Sequence, residues 1–144
     1  MDPGYDKPLP LLTGMTQALT GEFYRWCRAG ELRFQRCTSC GRFRHVPRPM
    51  CPACGSWESE WTRSTGRGRV VTWTVVTRPM HPAFTAVPYA PVVIELDEGV
   101  RVVSTITDCP PAELQRGLRV RVVFDAVTEA VTLPGFERDT EQTE

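Results

Sequence analysis

Cys37-Thr38-Ser39-Cys40-Gly41 and Cys51-Pro52-Ala53-Cys54-Gly55, with ten residues between Cys40 and Cys51, together read C-x2-C-x10-C-x2-C. A two-residue gap lets both thiolates of one knuckle reach a single tetrahedral ion, at metal–sulfur distances of about 2.3 Å. The glycine after each second cysteine allows a tight backbone turn around the ion, because glycine tolerates positive φ. Two disulfides or four buried thiols are the alternative, and a doubled C-x2-C-G rarely arises that way. Four thiolates leave zinc no open position for water, which marks the site as structural rather than catalytic. So short a segment cannot build a core of its own. One structural Zn²⁺ should therefore contribute on the order of 10 kcal/mol to its folding.

The remaining cysteines and the histidines add no chemistry of this strength. Cys27 and Cys109 lack a partner at metal spacing, and Cys109, in Asp108-Cys109-Pro110-Pro111, reads as a buried small hydrophobe. His45 lies between the knuckles and reads as a surface or outer-shell histidine, since the ligand set is already complete. His81 sits in the proline-bracketed loop Arg78-Pro79-Met80-His81-Pro82-Ala83-Phe84. No Gly-x-Ser-x-Gly, phosphate loop or paired-carboxylate signature is present, so the chain is expected to hold no catalytic residue of its own.

Length and charge narrow the class further. The chain has 144 residues and zero formal net charge, without the overall basic excess of a phosphate-binding protein. No apolar run reaches the roughly 18 residues of a membrane span. Met1–Pro10 shows no basic-then-apolar leader pattern, and grouped cysteines suit a reducing compartment, so the expected location is cytoplasmic. Lys7 is the single lysine beside sixteen arginines, which reads as compositional bias.

Working outward from the knuckles, residues 1–12 are Pro-rich and predict an extended arm. Over 13–34 the apolar residues Met15, Leu19, Phe23, Trp26 and Cys27 recur at helical spacing, predicting a helical hook. Thr20-Gly21 predicts a break into two short helices, and Gly30 a helix stop. Residues 35–60 form the ribbon. Residues 61–136 then carry five short β-rich runs: Val70–Thr77, Pro91–Leu96, Val100–Thr107, Leu118–Phe124 and a weaker Val131–Leu133. A single helical turn at Pro110–Gly117 separates the third run from the fourth. Residues 137–144 predict a disordered acidic tail. The fold class expected is mainly β: an N-terminal helical hook, a rubredoxin-like zinc ribbon and a C-terminal five-stranded OB-fold barrel.

The order of these parts is itself distinctive. Phe23-Tyr24-Arg25-Trp26, Gly30-Glu31-Leu32, the two knuckles with Pro47-Arg48-Pro49 between them, and Gly66-Arg67-Gly68 come in that sequence. Val87-Pro88-Tyr89, Glu95-Leu96, Gly117-Leu118-Arg119-Val120 and Leu133-Pro134-Gly135-Phe136 complete it. Over roughly residues 20–136 the chain resembles the domain-of-unknown-function-35 family of zinc-ribbon plus OB-fold proteins. It departs at Tyr24, where the family more often has Trp. The resemblance implies a non-catalytic accessory subunit, or an excised domain, in a hetero-oligomer with a thiolase-fold, lipid-transfer-protein-like enzyme. Such a partner would be an acyl-CoA aldolase or thiolase of steroid or lipid side-chain degradation that requires this subunit for activity.

Beside that resemblance stand readings drawn from the residues. Phe23, Tyr24, Trp26 and Phe34 form an aromatic cluster that would either cover a partner interface or pack the ribbon onto the barrel. Between Arg25 and Cys54 seven arginines face Glu31 alone. Arg25, Arg28, Arg42 and Arg44 are thereby candidate contacts for coenzyme A phosphates, which would make the chain a direct acyl-CoA binder or share the ligand with the partner. The favoured reading of the same arginines is a solvated positive face that balances the thiolates and meets an acidic partner. A single-stranded nucleic-acid module is the remaining alternative, disfavoured because Trp73 is the one clear stacking residue on the barrel strands.

Overall fold

The computed structural model describes residues 7–9 and 18–141. One helix, α1 (Ala18–Arg28), precedes a three-stranded antiparallel sheet of β1 (Arg33–Cys37), β2 (Phe43–Arg44) and β3 (Ser59–Arg63), in the order β2-β1-β3. A five-stranded antiparallel sheet follows, of β4 (Arg67–Trp73), β5 (Val92–Leu96), β6 (Arg101–Ser104), β7 (Arg119–Ala126) and β8 (Thr132–Arg138). Its order is β6-β5-β4-β7-β8. The sheet curls until its two edges meet: Ile106, just beyond β6, forms a parallel bridge with Phe136 of β8, and the Phe136 N–H donates to the Thr105 carbonyl at 3.0 Å. A single 3-10 turn, Pro111–Glu113, lies between β6 and β7. The chain is thus mainly β, a metal-ribbon sheet followed by an OB-like curled sheet.

The hook differs from expectation in one respect. Helix α1 runs unbroken through Gly21, which is buried within it. The roughly 1 kcal/mol that a mid-helix glycine costs is outweighed by burying Phe23 and Cys27, one turn apart on the same face. Residues 13–17, where the helix was expected to begin, lie outside the described residues, as does most of the arm. Lys7 lies over the Phe84 ring at 5.7 Å.

Helix, ribbon and barrel share one core. Phe23, Cys27, Leu32 and Phe34 pack in the same buried cluster as Val70, Val92, Ile94, Leu96, Val120 and Phe136. Gly68 permits a close backbone approach in the barrel, because a Cβ there would stand 2.5 Å from the Glu95 carbonyl oxygen. Two strand expectations need correction. β4 ends at Trp73, leaving one isolated bridge from Val76 to Tyr89. The run expected to be weak is β8, which pairs with β7 from Thr132 to Arg138. The region assigned to a disordered tail therefore begins inside the sheet: Glu137 and Arg138 belong to β8, and buried Asp139 donates its N–H to the Arg119 carbonyl at 2.9 Å. Residues 142–144 lie outside the described residues.

Candidate metal centre and surface aromatics

The first knuckle starts at the last residue of β1. Cys37 and Arg42 are joined by a backbone hydrogen bond of 2.9 Å, and the Gly41 N–H donates back to the Cys37 carbonyl at 2.8 Å. The second repeats the turn, with the Gly55 N–H on the Cys51 carbonyl at 2.9 Å. Gly41 and Gly55 both have φ of 78°, the left-handed conformation that each turn requires. Ser39 and Ser56 join the knuckles through their hydroxyls at 2.9 Å.

These turns bring four sulfurs together. Cys37 Sγ lies 3.6 Å from Cys54 Sγ, and Cys40 Sγ 3.7 Å from Cys51 Sγ. All four lie within 4.8 Å of one another. Cys37 and Cys51 are buried, while Cys40 and Cys54 face outward. The Cys40 N–H, aided by that of Ser39, pulls the Cys37 thiol down to about 6 against the effect of burial. The N–H groups of Cys54 and Ala53 lower Cys51 likewise. At Cys54 the Ser56 N–H pulls down, but the Cys37 thiol, burial, Cys40 and Cys51 outweigh it and push the group up to about 11. Four sulfurs this close cannot all ionise alone; a divalent cation among them removes the conflict. The donor set therefore fits a metal ion held by four thiolates.

The other chemically active side chains stand apart from this cluster. His45 is half-buried, its ring 5.0 Å from that of Phe23 and 5.4 Å from that of Phe34. It is a wedge between α1 and the ribbon rather than a surface residue, and burial pulls its imidazole down to about 4. Burial pushes the Cys27 thiol up to about 12 and also raises that of Cys109, opposing a nucleophilic role for either. His81 accepts the Ala83 N–H at 3.0 Å, which folds its own loop.

The aromatic cluster divides in two. Phe23 and Phe34 are 5% and 0% exposed, so these two belong to the core and cannot meet a partner. The ribbon does have an interior in which to bury them, because it shares one with the barrel. Tyr24 is half-buried, edge-on to Phe23 at 5.1 Å. Trp26 is half-buried under the Arg33 guanidinium, whose carbon lies 4.0 Å from the ring centre. Sequence reasoning missed its neighbours. A cleft of about 320 Å³ is lined by Glu22, Arg25, Trp26, Ala29 and Trp61. On the ribbon, Trp57 is 69% exposed, and Val46 and Met50 also face solvent. Trp57 was readable as the lone aromatic of a polar run, Ser56-Trp57-Glu58. The candidate phosphate ligands divide similarly. Arg25, Arg28 and Arg42 are exposed, whereas Arg44 is buried with Nε and Nη2 both donating to the Arg48 carbonyl, which withdraws it from any external ligand.

Comparison with known proteins gives this architecture its relatives. Residues 27–58 match the family described as ChsH2, rubredoxin-like zinc ribbon domain, and residues 61–125 the family described as ChsH2, C-terminal OB-fold domain. A DUF35 domain-containing scaffold protein of Pyrococcus furiosus is 37% identical over 72% of this chain and 68% of its own. The chain belongs to the DUF35 family. A probable enoyl-CoA hydratase alpha subunit of Thermomonospora curvata is 34% identical over 83% of this chain, which spans 38% of that larger protein. Among solved structures, the DUF35 fold recurs in a chain of the Ltp2-ChsH2(DUF35) aldolase with a TM-score of 0.76 and 32% identity, over 83% of this chain and 93% of that one. No helix among the described residues is long and apolar enough to cross a membrane.

Proposed function

We propose that this DUF35 chain is a non-catalytic accessory subunit that docks on a thiolase-fold acyl-CoA enzyme, an aldolase or thiolase of steroid or lipid side-chain degradation in a reducing cytoplasm. The observation that carries this reading is the likeness to the Ltp2-ChsH2(DUF35) aldolase chain, nearly all of whose length is covered. The side chains agree. Thiols are pushed up by burial, the half-buried histidine is held neutral, and the thiolate cluster leaves a single Zn²⁺ no open position. Chemistry stays with the partner, and this subunit orders the surroundings of the partner's active site.

The docking surface we assign is Trp26 and Trp61 around their cleft, with Trp57 on the ribbon, in place of Phe23 and Phe34. Tryptophans held rigidly on a surface lose little entropy on binding and dominate interface energetics. The test is co-expression with a thiolase-fold aldolase, followed by co-purification and assay of aldol cleavage. A near-stoichiometric complex that is active only with this subunit supports the reading. A chain that stays monomeric beside the aldolase and by itself binds acyl-CoA or single-stranded nucleic acid overturns it.

A further inference from the structure

Arg44 is 7% exposed, and its Nη1 is buried with no hydrogen-bond partner among the described residues. Its other guanidinium nitrogens both donate to the Arg48 carbonyl, Nη2 at 2.9 Å and Nε at 3.2 Å. The Arg48 N–H in turn donates at 2.7 Å to Oε1 of Gln35, itself 2% exposed. Gln35 is paired with Arg44 across β1 and β2. Both backbone groups of Arg48 are thus held from the sheet, three residues before Cys51.

That arrangement explains the position of Arg44 but not its charge. Removing a guanidinium from water costs several kcal/mol unless an anion faces it. A neutral side chain would fill the space without that cost. No carboxylate reaches Arg44: Glu31, the one acid between Arg25 and Cys54, is taken by Arg33 and Arg63. Glu58 and Glu60, the ribbon's other carboxylates, are exposed. The remaining anion near the buried side of the ribbon is the metal centre, since four thiolates around a divalent cation form a dianion. Cys37 is buried on the same face of β1 as Gln35, two residues and about 7 Å further along the strand.

We infer that Arg44 is the buried counter-charge of the metal-loaded thiolate centre, held between the two knuckles by Gln35 and the Arg48 backbone. With the metal bound, a buried cation faces a half-buried dianion. Without the metal, the cation has no such dianion before it. Arg44 is therefore a positioning residue that couples metal loading to closure of the loop ahead of Cys51. Exposed Arg42 carries equal charge, but water and salt screen it.

The experiment measures Zn²⁺ affinity of the full chain by competition with a chromophoric chelator under reducing conditions, for wild type, Arg44→Met, Arg44→Lys and Arg42→Met. Arg44→Met should weaken affinity by about tenfold or more, the range seen when groups around metal ligands are removed. Arg44→Lys keeps the charge and should lose less than about threefold; Arg42→Met, exposed and screened, should change by less than about twofold. A Co²⁺-loaded sample reports geometry: the thiolate-to-cobalt charge-transfer band of Arg44→Met should match wild type. Wild-type affinity in Arg44→Met overturns the inference, as does equal weakening in Arg44→Lys, which would make Arg44 a neutral clamp. Should Arg44→Met fail to fold, Arg44→Lys still decides. Failure of the wild-type chain to bind Zn²⁺ would overturn the metal assignment itself, leaving subunit docking to its own test.

Discussion

The indole N–H of Trp61, on β3, donates to Glu22 Oε2, on α1, at 2.6 Å. This bond crosses from hook to ribbon on the surface side of the shared core and fixes the Trp61 ring in its cleft. Arg33 completes the brace: it lies on the Trp26 ring, donates to Glu31 at 2.9 Å and reaches the Trp61 carbonyl at 3.2 Å. A charge-assisted bond that is partly exposed contributes about 1 kcal/mol. Glu22→Gln and Trp61→Phe should each lower urea-unfolding stability by about that amount. Trp61→Ala should do the same while lowering affinity for the thiolase-fold partner by about 2 kcal/mol. Partner titration by calorimetry checks it; undiminished binding in Trp61→Ala and Trp26→Ala together would remove this face from the interface.

Metal removal gives a larger effect. Each knuckle has one buried and one exposed cysteine, so the buried pair offers the sharper substitutions. Cys37→Ser and Cys51→Ser should release the ion and unfold β1, β2 and the second knuckle, with a loss on the order of 10 kcal/mol in apparent ribbon stability. Elemental analysis should find one zinc per wild-type chain and none in either variant. Phe34 belongs to the common core, so the barrel should become less stable as the ribbon opens. Retained zinc together with normal complex formation would sink the structural-metal reading.

What could be read from the sequence follows the range of the interaction concerned. The knuckles were legible because metal geometry imposes residue type and spacing within a few positions. β4, β5 and β7 were legible because alternation and glycine turns are local. The fate of Phe23 and Phe34 was not, since it depends on β8, about a hundred residues away, whose Phe136 joins the same core. β8 itself was masked by Pro134-Gly135. The strand tolerates them because Pro134 needs no backbone donor there, and its carbonyl accepts from Ser104 Oγ at 3.2 Å as the sheet edges close. Arg44 looked like its exposed neighbours in composition. Only the loop folded over Gln35 sets it apart.

The bare backbone at Gly68 is required by the β4–β5 pairing. A Cβ there would meet the Glu95 carbonyl oxygen at 2.5 Å and Ile94 Cγ2 at 3.1 Å. The first contact is backbone, which cannot turn aside as a side chain can. Gly68→Ala should therefore spread β4 from β5 and cost about 2–4 kcal/mol, in the range of core overpacking. Thermal unfolding should show the loss with zinc content unchanged, because the knuckles lie outside this strand pair. A melting temperature within a degree or two of wild type would contradict the close approach.

His45 links stability to pH. Its folded-state value is about 4, depressed by burial between Phe23 and Phe34, against about 6.5 when unfolded. Below 6.5 the unfolded chain takes up a proton that the folded chain refuses. The stabilisation is thus fully present above pH 6.5, falls as pH drops from 6.5 towards 4, and changes no further below that. Its size is at most about 3 kcal/mol, less whatever the partly exposed ring keeps through contact with water. His45→Phe, which keeps an aromatic ring against the same two phenyl groups, should remove this dependence. The measurement is the difference in urea-unfolding stability between wild type and His45→Phe at pH 7.5, 6 and 4.5, which cancels the carboxylates and thiols common to both. A difference that grows in favour of the variant as pH falls places the neutral imidazole in the folded interior. A constant difference would mean that His45 titrates alike folded and unfolded, with its ring open to water.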